Sequence, residues 1–251
     1  MTQIDYSSSA YPVRPDLIDV HQQILDHLSA SGTWWSGEER RAIAEEARAA
    51  RDCVLCAERK QALSPFSIEG EHDGPGTLAP EIVDVVHRIV TDPGRLVKSW
   101  YDQVVTGPDL DPERYVELVG VTVFLNALDV FARAIGVDSQ TLAVGSTASP
   151  TRKRPETART DAAWVPQIPP APESGDEWTG LYADAEFVPQ IGRALSLVPA
   201  EVRMMQVMSG PHYMPLGHVS NPAHVEPDRV LDRLQLELIA SRVSAINECF
   251  Y

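Results

Sequence analysis

Cysteine is scarce in this chain: three in 251 residues, at positions 53, 56 and 249. So small a number excludes the dense disulfide framework of small secreted domains, and it leaves the Cys53-x-x-Cys56 pair to be read as redox or metal chemistry. Positive charge is also in deficit, with 21 Lys and Arg against 36 Asp and Glu, a formal net charge of −15. That balance opposes binding to phosphate backbones and anionic membrane surfaces. The short run Arg152-Lys153-Arg154 reads as a solvated patch rather than a nucleic-acid site. A long hydrophobic run is missing too. The most apolar stretch, residues 116–135, is interrupted by Glu117, Asn126, Asp129 and Arg133. Its uninterrupted part falls well short of the roughly 18 residues of a membrane span, so it reads as a buried core helix. The opening MTQIDYSSSAYPVRPD has neither the basic nor the apolar region of a signal peptide. These absences predict a cytoplasmic chain without nucleic-acid or membrane partners.

What is present is helical periodicity. Apolar residues are 43% of the chain, enough for a core. After a loose arm at 1–14, Leu17, Val20, Ile24 and Leu28 recur at helical spacing. A second helix is expected from Ser36 through CVLC to about residue 62, burying Ile43, Ala47, Ala50 and Val54 on one stripe. Glu38 and Glu39 suit its first turn. A Gly- and Pro-rich loop (EGEHDGPGTLAP) separates it from a helix opened by Pro80. Another helix is expected over 95–105. Asp111-Pro112 supplies an N-cap with proline at N1 for a long helix ending at Gly136. Residues 138–177 are Pro-rich, without apolar period, and read as a linker or wrapping segment. Helical signals return from Trp178. Phe187, Ile191, Ala194 and Leu195 form one stripe; Val202, Met205 and Met208 form another, read as core. A last helix is expected to open at Glu226-Pro227, with Val230, Leu234, Leu238, Ser241 and Ala245 on one face. His212, His218 and His224 lie around the loop before it and read as ordinary surface or core histidines.

On a continuous helix, Cys53 and Cys56 would share a face. Thiol exchange needs a thiolate and a second sulfur close enough to resolve the adduct. Arg59 and Lys60 follow Cys56 by three and four residues, where their charge would favour a thiolate. Glu46, seven residues before Cys53, could relay a proton. His72, in the loop EHDG, and His87, between Val83 and Val90, are further proton-donor candidates. A zinc reading of the pair is disfavoured because His72 and His87 do not follow at finger spacing, and no metal or cofactor is expected. Two inert buried cysteines are the bland alternative. Cys249 follows Glu237 by twelve residues on the last helix.

The segment LQLELIASRVSAINEC resembles the active-site helix of the alkyl hydroperoxidase D and carboxymuconolactone decarboxylase superfamily, Glu237 matching its glutamate and Cys249 its first cysteine. FVPQIGRALSLVPAEV resembles the stretch before that helix. The segment from Trp35 to Gly136 looks like a second, more divergent copy, with CVLC as its cysteine pair and YVELVGVTVFLNALDVFARAIGV like the helix that follows the active site. In this copy the family glutamate position falls on Arg41 and the histidine position on Lys60. The resemblance implies an all-α fold of two tandem helical bundles: 15–137, then, after the 138–177 segment, an incomplete one over 178–251. The chain stops one residue before the second redox position; a selenocysteine codon read as termination is one expectation there, and an experimental truncation or a genuine early stop is the other.

The resemblance further implies a thiol-dependent peroxidase or disulfide oxidoreductase, with a peroxide as substrate, a thiol reductant as partner and assembly into homo-oligomers. Cys56 is cast as the attacking thiol beside Lys60, Cys53 as its resolver, Glu237 as the relay in the second copy and Cys249 as the surviving half of that pair. The alternatives are a non-catalytic helical module that binds a partner, and a decarboxylase-like enzyme that does not need the CxxC.

Overall fold

The computed structural model describes residues 2–182, 188–215, 218–219, 221, 223–225, 229–247 and 249. Among them are nine α-helices and no strand: α1 (Pro15–Ser29), α2 (Gly37–Ala49), α3 (Val54–Gln61), α4 (Pro80–Thr91), α5 (Lys98–Thr106), α6 (Pro112–Ala134), α7 (Gln190–Arg193), α8 (Pro199–His212) and α9 (Arg233–Ile246). The all-α expectation holds.

The helices start where capping chemistry allows. Ser36 and Glu39 form a reciprocal capping box on α2, Asp111 caps α6, and prolines sit at the openings of α1, α4 and α6. α6 is the central element, packed by α1, α2, α4 and α8. Its buried residues include Leu118, Val121, Phe124, Leu125 and Leu128. It is long and apolar enough to cross a membrane by length alone, but two thirds of its most apolar window lies inside the fold.

Three expectations are corrected here. The helix through CVLC is not continuous. α2 ends at Ala49, a 3-10 turn occupies Ala50–Asp52, and Cys53 takes an extended conformation (φ −69°, ψ 125°) as N-cap of α3. Val54 is therefore exposed instead of continuing the buried stripe. Residues 138–177 do not separate two cores. Ala158 and Ile168 from this segment, with Leu181, Leu195, Leu197, Val198, Val202 and Met204, join the same hydrophobic cluster as α1, α2, α4 and α6. The segment wraps, and α8 packs on α1. Finally, the last helix begins at Arg233, where Asp232 and Gln235 make a capping box; Glu226-Pro227 and Phe187 lie outside the described residues. None of the described α9 residues is buried, and Leu234 and Leu238 of its apolar stripe are exposed.

One buried ion network ties the bundle. The Arg40 guanidinium donates to Glu117 (2.6 Å) and Glu201 (2.8 Å), and His27 lies 2.9 Å from the second oxygen of Glu201. Gly120 makes room for it: a Cβ there would stand 2.6 Å from the Glu201 carboxylate.

Candidate functional site

Four chain segments converge on the cysteine pair. α2 contributes Glu46 from its buried face. The break after α2 places Cys53 at the N-cap of α3 and Cys56 in that helix's first turn. The loop before α4 contributes His72 and Asp73, and the Asp73 carboxylate accepts from the Val54 N–H at 2.9 Å, which holds loop and helix start together. α4 contributes Asp84, His87 and Arg88, at offsets that put them on one side of the helix.

The two imidazoles face the sulfurs. His72 Nδ1 is 3.5 Å from Cys53 Sγ and 3.6 Å from Cys56 Sγ; His87 Nδ1 is 3.2 Å from Cys56 Sγ. Each ring's far nitrogen meets a carboxylate. His87 Nε2 is 2.9 Å from Glu46 Oε1, and His72 Nε2 is 3.0 Å from Asp84 Oδ1. Asp84 also accepts from Arg59 (2.6 Å) and Arg88 (2.7 Å). Cys53 and Cys56 are only 1% and 3% exposed, and His87 and Glu46 are wholly buried. Cys56 nonetheless lines a groove of about 860 Å³ with Arg51, Lys60, Val90, Val130 and Val243.

The electrostatics differentiate the two histidines. Burial works against a charged His72, but Asp84 and the two sulfurs more than offset it, and its pKa is pushed up to about 10. His87 is held down to about 4, first by burial and then by the charge on His72. His87 is thus a neutral imidazole, its Nε2–H donating to Glu46 and its Nδ1 lone pair turned to Cys56. Burial pushes Glu46 up. Burial also pushes the Cys53 thiol up, but the backbone N–H groups of Cys56 and Asp73, with His72 and the Cys56 thiol, outweigh it and the net shift is downward.

Five sequence-derived candidates, Cys53, Cys56, Glu46, His72 and His87, meet here. Lys60 does not join them. It follows Cys56 by one turn of α3 and lines the groove beside it, but it is exposed and its amine donates to the Thr91 carbonyl at 3.1 Å, away from the sulfurs. His72 takes the cationic role, and Arg59 reaches both its Nε2 (3.1 Å) and Asp84. Arg41 pairs with Glu45 on the surface (2.8 Å), and Glu46 supplies the carboxylate at the cysteine pair. Asp84 was missed: it is one of 36 acidic residues, and its role depends on contacts across α4, α3 and the loop. On α9, Glu237 is held by Tyr213 and by Arg233 at 2.6 Å, while Cys249 is exposed. Cys249 lies beyond the end of α9 at Ile246. His212 lies 2.8 Å from buried His21, and His218 lies 2.9 Å from His224.

Two thiols, two imidazoles and two carboxylates behind them can move protons, form a disulfide or hold a borderline-soft metal ion. Comparison of the chain with family models, with curated proteins and with solved structures finds no match.

Proposed function

We propose that this chain is a thiol-dependent peroxidase or disulfide oxidoreductase of the alkyl hydroperoxidase D type, working through Cys53 and Cys56. The observation that carries the reading is the chain Glu46–His87–Cys56, with contacts of 2.9 and 3.2 Å. It has the form of a nucleophile, a base and a group that orients the base.

His87 Nδ1 takes the Cys56 proton, and the thiolate attacks one peroxide oxygen. The O–O bond breaks, leaving Cys56 as a sulfenic acid, and the departing oxygen accepts a proton from the histidine pair and leaves as an alcohol. The Cys53 thiolate then attacks the Cys56 sulfur. The S–S bond forms, and hydroxide leaves as water with the remaining proton. The sum is dithiol plus hydroperoxide giving disulfide, alcohol and water. A thiol reductant returns two electrons and two protons. The groove beside Cys56, apolar at Val90 and Val130 and cationic at Arg51 and Lys60, suits an organic hydroperoxide.

Rapid-mixing measurement of organic hydroperoxide consumption by the reduced full chain, with peptide mapping of the product, tests this. The expected result is a Cys53–Cys56 disulfide formed at the rate at which peroxide disappears. Cys56→Ser abolishes consumption, and Cys53→Ser leaves a sulfenic acid that a dimedone-type reagent traps. One observation favours a second reading, a non-catalytic helical scaffold: the near-complete burial of both sulfurs. Thiols that stay reduced in excess peroxide while the chain remains folded would establish the scaffold.

A further inference from the structure

The same cluster has a property that dithiol chemistry does not require. The ligating atoms of Cys53, Cys56, His72 and His87 all lie within 4.8 Å of one another. Tetrahedral zinc, with Zn–S of about 2.3 Å and Zn–N of about 2.0–2.1 Å, sets sulfur-to-nitrogen edges of roughly 3.5 Å. The three such contacts given above are 3.5, 3.6 and 3.2 Å. Both rings turn Nδ1 inward and give Nε2 to a carboxylate, which is how metal-bound histidines are fixed in tautomer and orientation. The second oxygen of the Glu46 carboxylate is buried without a partner, so this acid is held at His87 by that one contact. Two thiolates and a dication also sum to zero charge, which suits an interior as dry as this one.

We propose that Cys53, Cys56, His72 and His87 bind one zinc-class divalent cation in a closed tetrahedral site. The set of two thiolates and two imidazoles selects Zn²⁺ or Co²⁺ over Mg²⁺ and Ca²⁺, which prefer oxygen. With all four positions filled by protein, the ion is structural. It pins the loop that carries His72, a stretch with little regular structure, to the start of α3 and to α4. This inference stands on the donor geometry alone and not on the peroxidase reading. Metal occupancy and the Cys53–Cys56 disulfide exclude each other, because both use the same two sulfurs.

The test uses the full chain, reduced and stripped with a chelator, and titrated with Co²⁺. The expected result is one equivalent bound, with the visible bands of tetrahedral cobalt and sulfur-to-cobalt charge transfer, both erased by Zn²⁺. Zn²⁺ should also raise the melting temperature of the wild-type chain and silence two thiols to a thiol reagent. His72→Ala should lose the tetrahedral spectrum, and Glu46→Gln should weaken affinity about 10- to 100-fold. Octahedral cobalt bands, or equal binding by a folded Cys56→Ser chain, would overturn the site, the latter by locating the metal elsewhere. The outcome is separable from the peroxidase reading. Peroxide consumption by the stripped chain without metal binding sinks this inference only, and tight zinc binding with peroxide-inert stripped chain sinks only the other.

Discussion

α2 serves two buried polar clusters, and they are built on different principles. At Arg40 one permanent cation lies between two carboxylates, with His27 closing the network. Burial pushes Glu201 up, but Arg40 and His27 outweigh it and the carboxyl stays below its usual range. The guanidinium answers both acids through one nitrogen, Nη1, while its Nε stays buried without a partner. Six residues later Glu46 reaches a cluster in which two sulfurs and the Nδ1 atoms of two imidazoles converge, and the charge nearest the sulfurs is the exchangeable proton of His72. The first arrangement locks helices together; the second is open to a proton, an oxidant or a metal. Burial alone therefore does not mark a functional site, whereas converging sulfur and imidazole donors do.

The contrast can be broken at its strongest point first. Arg40→Ala leaves two carboxylates buried without their cation and should cost about 3–5 kcal/mol, read as a lower denaturation midpoint. Peroxide chemistry per folded molecule should be unchanged, because the cluster at Cys53 does not touch Arg40.

Acidification acts next. Buried His21, bonded to Tyr6 and to His212, is held at about 4, mainly by burial and then by His212, against 6.5 when free. Below pH 6.5 the unfolded chain binds a proton that the folded chain refuses. The stability that His21 contributes, up to about 3 kcal/mol, should thus be lost as pH drops from about 6.5 to about 4, and its own share is flat above 6.5. Denaturant melts across that window check the slope, which His21→Gln should reduce and not abolish, since His87 is held down to about 4 as well.

Glu46→Gln keeps the shape but removes the charge that orients His87. A fall of about tenfold in peroxide turnover with little change in KM is expected, since Glu46 positions the base without touching substrate. The smallest effect belongs to Cys249. Cys249→Ser should change stability by less than about 0.5 kcal/mol and leave hydroperoxide consumption by the described site intact. A large loss of turnover in that variant would show that the exposed cysteine takes part.

Helix existence was legible wherever local signals agreed. Pro80, Asp111-Pro112 and the spacing of Val20, Ile24 and Leu28 marked α4, α6 and α1 because capping and amphipathic burial are short-range effects. The pair Cys53 and Cys56 stood out because cysteine is rare here. The break at residues 50–53 was not legible, since ARDC carries no Gly or Pro and the helical stripe runs through it. What holds the break is the bond from Val54 to Asp73, nineteen residues away. α9 shows the converse. Its apolar stripe was legible, yet periodicity says only which residues share a face, not whether anything covers them.

The chain's own chemistry determined that this protein is helical, acidic and equipped with one close cysteine pair, because those properties depend on composition and on neighbours within a few residues. Only the folded structure decided what surrounds the pair. His72 and His87 follow Cys56 by 16 and 31 residues, a spacing that matches no compact metal finger. They reach the sulfurs because α4 packs on α2 and α3 and carries the loop with it. Contacts between segments that far apart are set by packing of the whole bundle, and no local pattern encodes them.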